Sequence, residues 1–139
     1  MTSKQFSYIN NLRAIFLTRF HFSSESSTWF ACLFALESSF GTSRLAISLN
    51  NHCSMKVPRV RVSVCQNFCD NTGEIWASYS NLSDCVLDFV LWLQYQKPKR
   101  WELGNLETLY SYFRSYCPEK DYIDKINNIY SNFKNYNYE

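Results

Sequence analysis

Two periods of apolar and polar positions divide this chain. From Lys4 to Phe20 the apolar residues Phe6, Ile9, Ile15, Phe16 and Phe20 recur among polar ones, predicting a first helix with Arg13 and Arg19 on its wet side. Trp29, Cys32, Leu33 and Leu36 then fall at i, i+3, i+4 and i+7, while Phe30 and Phe34 widen the stripe. That helix is apolar nearly all round, as a buried central helix is. Ser27 or Thr28 is its expected N-cap, and Gly41 its stop. Thr42 or Ser43 can cap a short helix ending near Leu49, before a turn at Asn50-Asn51.

From Val57 the period shortens to two. Val60, Val62 and Val64 alternate with Arg59, Arg61 and Ser63, a strand signal, and Asp70-Asn71-Thr72-Gly73 is a turn leading to a return strand over Ile75–Tyr79. Helical spacing resumes with Leu82, Cys85, Val86, Phe89, Val90 and Leu93, opened by Ser80 or Asn81 and ending before Pro98. Further helices are predicted over Leu106–Tyr116 and Tyr122–Phe133, the latter with Ile123, Ile126, Ile129 and Tyr130 inward, and a frayed tail over Asn135–Glu139. The fold class expected is α+β, mainly helical, with a small β-hairpin lobe, in one domain over residues 1–139.

Composition narrows the function classes. The 139 residues suffice for one core, and only three Gly and three Pro argue against an all-β design. A net charge of +2 without a Lys/Arg block gives no footprint for nucleic acid. The longest apolar run, Trp29 to Leu36, is far short of the roughly 20 residues that span a bilayer, so no stable membrane insertion is expected. Asn10, Asn11, Arg13 and Arg19 interrupt any signal-peptide pattern, which suggests retention in the cytoplasm of the producing cell or release by another route. The six Cys are accordingly read as reduced. Cys65-x3-Cys69 with His52-Cys53 lacks a second tight pair, so no metal and no cofactor is expected. No Ser-His-Asp or Cys-His arrangement and no glycine-rich phosphate loop is legible.

Glu37 is the only charged residue between Glu25 and Arg44, and it comes at the last turn of the apolar helix. Apolar surroundings and the negative end of the helix dipole both disfavour its carboxylate. A carboxylic acid that keeps its proton near neutrality can act as a general acid. A helix-terminal Glu turned to solvent is the plainer alternative.

The residues around Glu37 carry a resemblance. Leu36-Glu37-Ser38-Ser39-Phe40-Gly41-Thr42-Ser43, then Leu45-Ala46 and Asn50-Asn51-His52-Cys53-Ser54-Met55-Lys56, resemble the signature of the peptidoglycan N-acetylglucosaminidases of glycoside hydrolase family 73. The family pattern is L-E-S-G-W-G-x-S-x-L-A followed by N-N-x-F-G-I-K. Ser39 stands for a Gly, Phe40 for a Trp, and Cys53-Ser54-Met55 for Phe-Gly-Ile. The similarity extends over roughly residues 28–133, including Tyr79 at the Tyr of an F-R-x-Y motif and Lys99-Arg100-Trp101 near a K-x-R-Y segment. It implies a lysozyme-like domain in which a hairpin lobe faces a helical lobe across a substrate cleft.

The resemblance also implies roles. Glu37 is the expected proton donor, and the second group is expected from the hairpin, Asp70 first and Glu74 next, unless the substrate's own N-acetyl group assists. The competing reading of Asp70 is ordinary turn chemistry. Tyr79, Asn51 and Trp76 are the expected substrate contacts, with Trp101 a further sugar platform; Tyr79 and the Trp side chains also suit a core, and Asn51 and Lys56 a turn. His52 has no evident partner. The expected function is endo-β-N-acetylglucosaminidase action on peptidoglycan glycan strands, by a phage lysin or virion-associated protein that also meets other virion proteins. The alternative is a catalytically degenerate relative serving as a wall-binding or virion structural module, which the altered Cys53-Ser54-Met55 segment would favour.

Overall fold

The computed structural model describes residues 1–96 and 106–136. Among the described residues, six helices and one two-stranded antiparallel sheet follow in the order α1 (Ser3–Phe20), α2 (Ser24–Ser38), α3 (Arg44–Leu49), β1 (Gln66–Cys69), β2 (Ile75–Ser78), α4 (Leu82–Gln96), α5 (Leu106–Tyr116) and α6 (Tyr122–Lys134). The fold is therefore mainly helical with a small hairpin, as the periodicity predicts. Pro98 to Trp101 lie outside the described residues.

Helix α2 is the axis of the molecule. Every residue from Trp29 to Ala35 is buried, and α1 and α6 pack along it. Phe16, Phe30, Phe34, Phe89 and Phe113 are fully buried, and their rings meet edge-on or tilted. Each such side chain contributes about 2–3 kcal/mol by leaving water. Trp29 stacks on Tyr130 of α6 with centroids 3.8 Å apart. Glu25 ties the two helices again, accepting from Trp29 Nε1 at 3.2 Å and from the Tyr130 hydroxyl at 2.5 Å.

Two boundaries differ from the sequence reading. α2 begins at Ser24, capped by Ser23, whose side chain accepts from the Ser26 amide. Ser27 and Thr28 are buried inside the helix instead. Arg13 of α1 supports the extension: partly exposed, it donates to Thr28 Oγ1 at 2.9 Å and to Ser24 Oγ across the helix pair. The strand expected at Val60–Val64 is not formed. Val60 and Val62 are 74% and 78% exposed, and the hairpin pairs Gln66–Cys69 with Ile75–Ser78 around the predicted Asp70–Gly73 turn. Arg61 sets this, because its guanidinium turns inward onto Asp88 at 2.7 Å and onto the Val62 carbonyl, which holds the segment as an irregular strap. The tail begins ordered: Tyr136 stacks on Phe6 at 4.5 Å.

Candidate active site

Glu37 occupies the last turn of α2, where the buried helix reaches the surface. Backbone beyond it turns sharply: Ser39 and Phe40 have φ of 48° and 55°, and Gly41 has φ of 80°. Gly41 is required there, because a Cβ would stand 2.7 Å from the ring of Tyr8. The Tyr8 hydroxyl bonds both Ser38 Oγ and His52 Nδ1 at 2.8 Å, and Ser38 Oγ accepts from the Gly41 amide at 2.9 Å. His52 thus has a partner 44 residues away, beyond the reach of sequence spacing. This polar knot fixes the turn beneath the acid.

The Glu37 carboxyl is half-buried. Burial raises its pKa above the ordinary glutamate value, and nearby Glu119 adds to the rise. Hydrogen bonds from Tyr122 and Ser54 oppose it in part. The Tyr122 hydroxyl donates to Glu37 Oε1 at 2.6 Å. Burial and the adjacent carboxylate drive the Tyr122 pKa upward, so its hydroxyl stays a donor. With Oε1 committed as acceptor, Oε2 is the oxygen on which a carboxyl proton would sit. Sequence reasoning missed Tyr122, whose i, i+4 relation to Ile126 reads as core.

Two cavities open at Glu37. One, of about 340 Å³, is lined by Glu37, Ser54, Met55, Lys56, Trp92, Ser115, Tyr116 and Cys117. The other, of about 260 Å³, adds Leu36, Glu119, Tyr122 and Lys125, and the two share Glu37 and Cys117. Trp92 gives the first an aromatic wall, its ring 5.0 Å from that of Tyr116. One residue off the apolar stripe of α4, it carries no signal in the sequence as a sugar platform.

The other predicted site residues are placed differently. Asp70 is partly exposed at the hairpin turn, where Oδ1 accepts from the amides of Thr72 and Glu74 and from the Thr72 hydroxyl, and Oδ2 from Trp76 Nε1 at 3.0 Å. These donors, led by the Thr72 hydroxyl and the Trp76 indole, hold its pKa down to about 2. Asp70 and Trp76 line a separate cavity of about 420 Å³ with Arg44, Ser48 and Phe68, which shares no lining residue with those at Glu37. Glu74 pairs with Lys56 at 3.1 Å, and Lys56 lines the Glu37 cavity. Glu74, itself outside the lining of both cavities, is thus one ion pair away from a wall of the Glu37 cavity.

Asn51 is buried, its amide donating to the Met55 and Ala77 carbonyls at 2.8 Å and its Oδ1 accepting from the Met55 amide. Tyr79 is buried too, its hydroxyl on Asp88. Both bind scaffold in this structure. Asn51 keeps the altered segment in shape: Ser54 stands at the family's Gly with φ of 56°, and its hydroxyl reaches the Glu37 carbonyl at 3.3 Å.

The chain combines a mainly helical fold, a small hairpin and, at the end of the central helix, a half-buried carboxyl whose pKa burial raises. It belongs to the glucosaminidase family, described as mannosyl-glycoprotein endo-beta-N-acetylglucosaminidase, whose model matches residues 27–135. The fold is similar to the catalytic domain of the autolysin Auto from Listeria monocytogenes, with a TM-score of 0.64 at 15% identity over 96% of this chain and 86% of that one. It is also similar to a chain in a type VI secretion system effector–immunity complex from Pseudomonas protegens, with a TM-score of 0.56 at 15% identity over 94% and 96%. No curated protein sequence is detectably similar to it. Among the described residues, no helix is long and apolar enough to cross a membrane.

Proposed function

We propose that the protein is an endo-β-N-acetylglucosaminidase of peptidoglycan in which Glu37 is the general acid. The observation that carries this is the Glu37–Tyr122 pair at the junction of two open cavities: one carboxyl oxygen is committed as an acceptor, and burial raises the carboxyl's pKa, which favours a proton on the other. Oε2 delivers that proton to the departing glycosidic oxygen, and positive charge grows at the sugar carbon. Glu74 supplies the countercharge from the hairpin, steered by Lys56. Asp70, whose carboxylate is a fixed anion, braces the turn that carries Glu74. An aromatic face at Trp92 suits a sugar ring. Family membership supports the N-acetylglucosaminide bond, and the shared fold of an autolysin catalytic domain supports cell-wall glycan as the substrate.

The test is digestion of purified crosslinked peptidoglycan, with soluble fragments identified by mass spectrometry after borohydride reduction. Fragments ending in reduced N-acetylglucosamine are expected. Ends in reduced N-acetylmuramic acid would replace the assignment by a muramidase, and wall binding without release would overturn the hydrolase reading in favour of a binding module.

A further inference from the structure

The loop between α3 and the strap carries two walls of the Glu37 cavity, Ser54 and Met55, and immediately before them Cys53. Its sulfur lies 3.6 Å from that of Cys85, in the first turns of α4. Both residues are completely buried within the apolar core. Among the described residues no second pair of cysteine sulfurs is in contact; Cys32 is buried apart from these, and Cys65, Cys69 and Cys117 reach the surface.

We propose that Cys53 and Cys85 are a cross-linking site that closes as a disulfide when the chain folds outside a reducing compartment. The backbone already holds both partners in place. The His52 amide donates to Cys85 Sγ at 3.4 Å, the Tyr116 hydroxyl donates to the Cys53 carbonyl, and Asn51 anchors the amide of Met55 two residues beyond Cys53. Closing the bond contracts a contact the fold has already made, while removing freedom only from the unfolded chain, across a loop from residue 53 to residue 85. The bond would clamp the loop that walls the Glu37 cavity onto α4, the helix that also supplies Trp92.

The chemistry needs an external disulfide, for which glutathione disulfide serves. The Cys85 thiolate attacks it and releases one glutathione thiolate. The Cys53 thiolate then displaces the second glutathione, leaving the protein disulfide; the two protein thiol protons go to the two glutathiones. Because both sulfurs are sealed in the folded protein, the exchange belongs to folding or to a locally opened form, and the finished bond is shielded from reduction.

This inference does not rest on the reading of Glu37. The test is to unfold and reduce the whole chain, refold it in a reduced and oxidised glutathione buffer, trap free thiols with iodoacetamide and map the peptides. The expected product is two hydrogens lighter than the reduced chain before alkylation; after it, the Cys53 and Cys85 peptides are joined and the other four cysteines carry alkyl groups. Its thermal midpoint should exceed that of the reduced chain by roughly 5–10 °C, and dithiothreitol after unfolding should remove the gain. Cys85→Ala should show no gain on oxidation. Recovery of Cys53 and Cys85 both alkylated, their pairing chiefly with other cysteines, or a cross-link that leaves the midpoint unchanged or lowers it would each overturn the proposal.

Discussion

Replacing Glu37 by Gln should separate the acid's chemistry from its place in the fold. The Gln carbonyl can accept the Tyr122 hydroxyl as Oε1 does, so the 2.6 Å contact survives, while the Oε2 position becomes an amide with no proton to deliver. General acid catalysis is worth about 10²–10⁴-fold, so initial rates of peptidoglycan solubilisation should fall by that factor with KM little changed, a loss of about 3–5 kcal/mol in transition-state stabilisation. The fold should be spared, with the thermal midpoint within about 3 °C. The pH dependence has a definite sign. Burial raises the Glu37 pKa in the folded state, so the proton stabilises the fold below the unfolded value, and that contribution is lost as pH rises through the folded one. Relative to the Gln variant, the wild type should therefore lose stability from the ordinary glutamate range upward. Glu37→Gln retaining more than about a tenth of the rate would refute the acid assignment. A stability gap that instead widens towards acid would refute the burial argument.

Other expectations test the surroundings. Asp88→Ala leaves the Arg61 guanidinium, 5% exposed, without its carboxylate; urea titration should show a loss of about 3–5 kcal/mol, and a change below about 1 kcal/mol would mean the pair contributes nothing. Ser39→Gly relieves a left-handed residue with φ of 48° and should raise stability by about 0.5–1 kcal/mol, measured as a small increase in thermal midpoint; a decrease would show that the turn is not strained. Gly41→Ala drives a methyl into Tyr8 and should cost at least about 2 kcal/mol by the same measurement, unless the turn opens freely. Glu74→Gln should lower kcat by roughly tenfold or more, and Asp70→Asn by less; the reverse order would return the second carboxylate to Asp70.

The helices were legible because each buries one face and so leaves a periodic record, and α2 was legible as the centre because it buries every face. Glu37 was legible as a lone charge at the end of that helix, and the family signature marked it as the candidate acid. What stayed hidden depends on contacts between distant positions. Val60, Val62 and Val64 alternate like a strand, yet the inward turn of Arg61 onto Asp88 decides the backbone there. Tyr8 with His52, and Tyr122 with Glu37, are 44 and 85 residues apart, and no spacing rule reaches that far. Asp70 could be read equally as turn or catalyst; its four hydrogen bonds, one of them from an indole six residues on, show the turn role, which no spacing rule could weigh against the other.

The bond from Tyr122 to Glu37 has a consequence for the order of synthesis. The acid belongs to the second helix, but the hydroxyl that orients it arrives with the sixth. A growing chain without α6 holds Glu37 without the donor that settles where its proton sits, and leaves open one side of the second cavity. The surroundings of Glu37 are therefore unfinished until α6 has been made and has docked, so the proposed acid is not set in place while the helix that carries it is being synthesised.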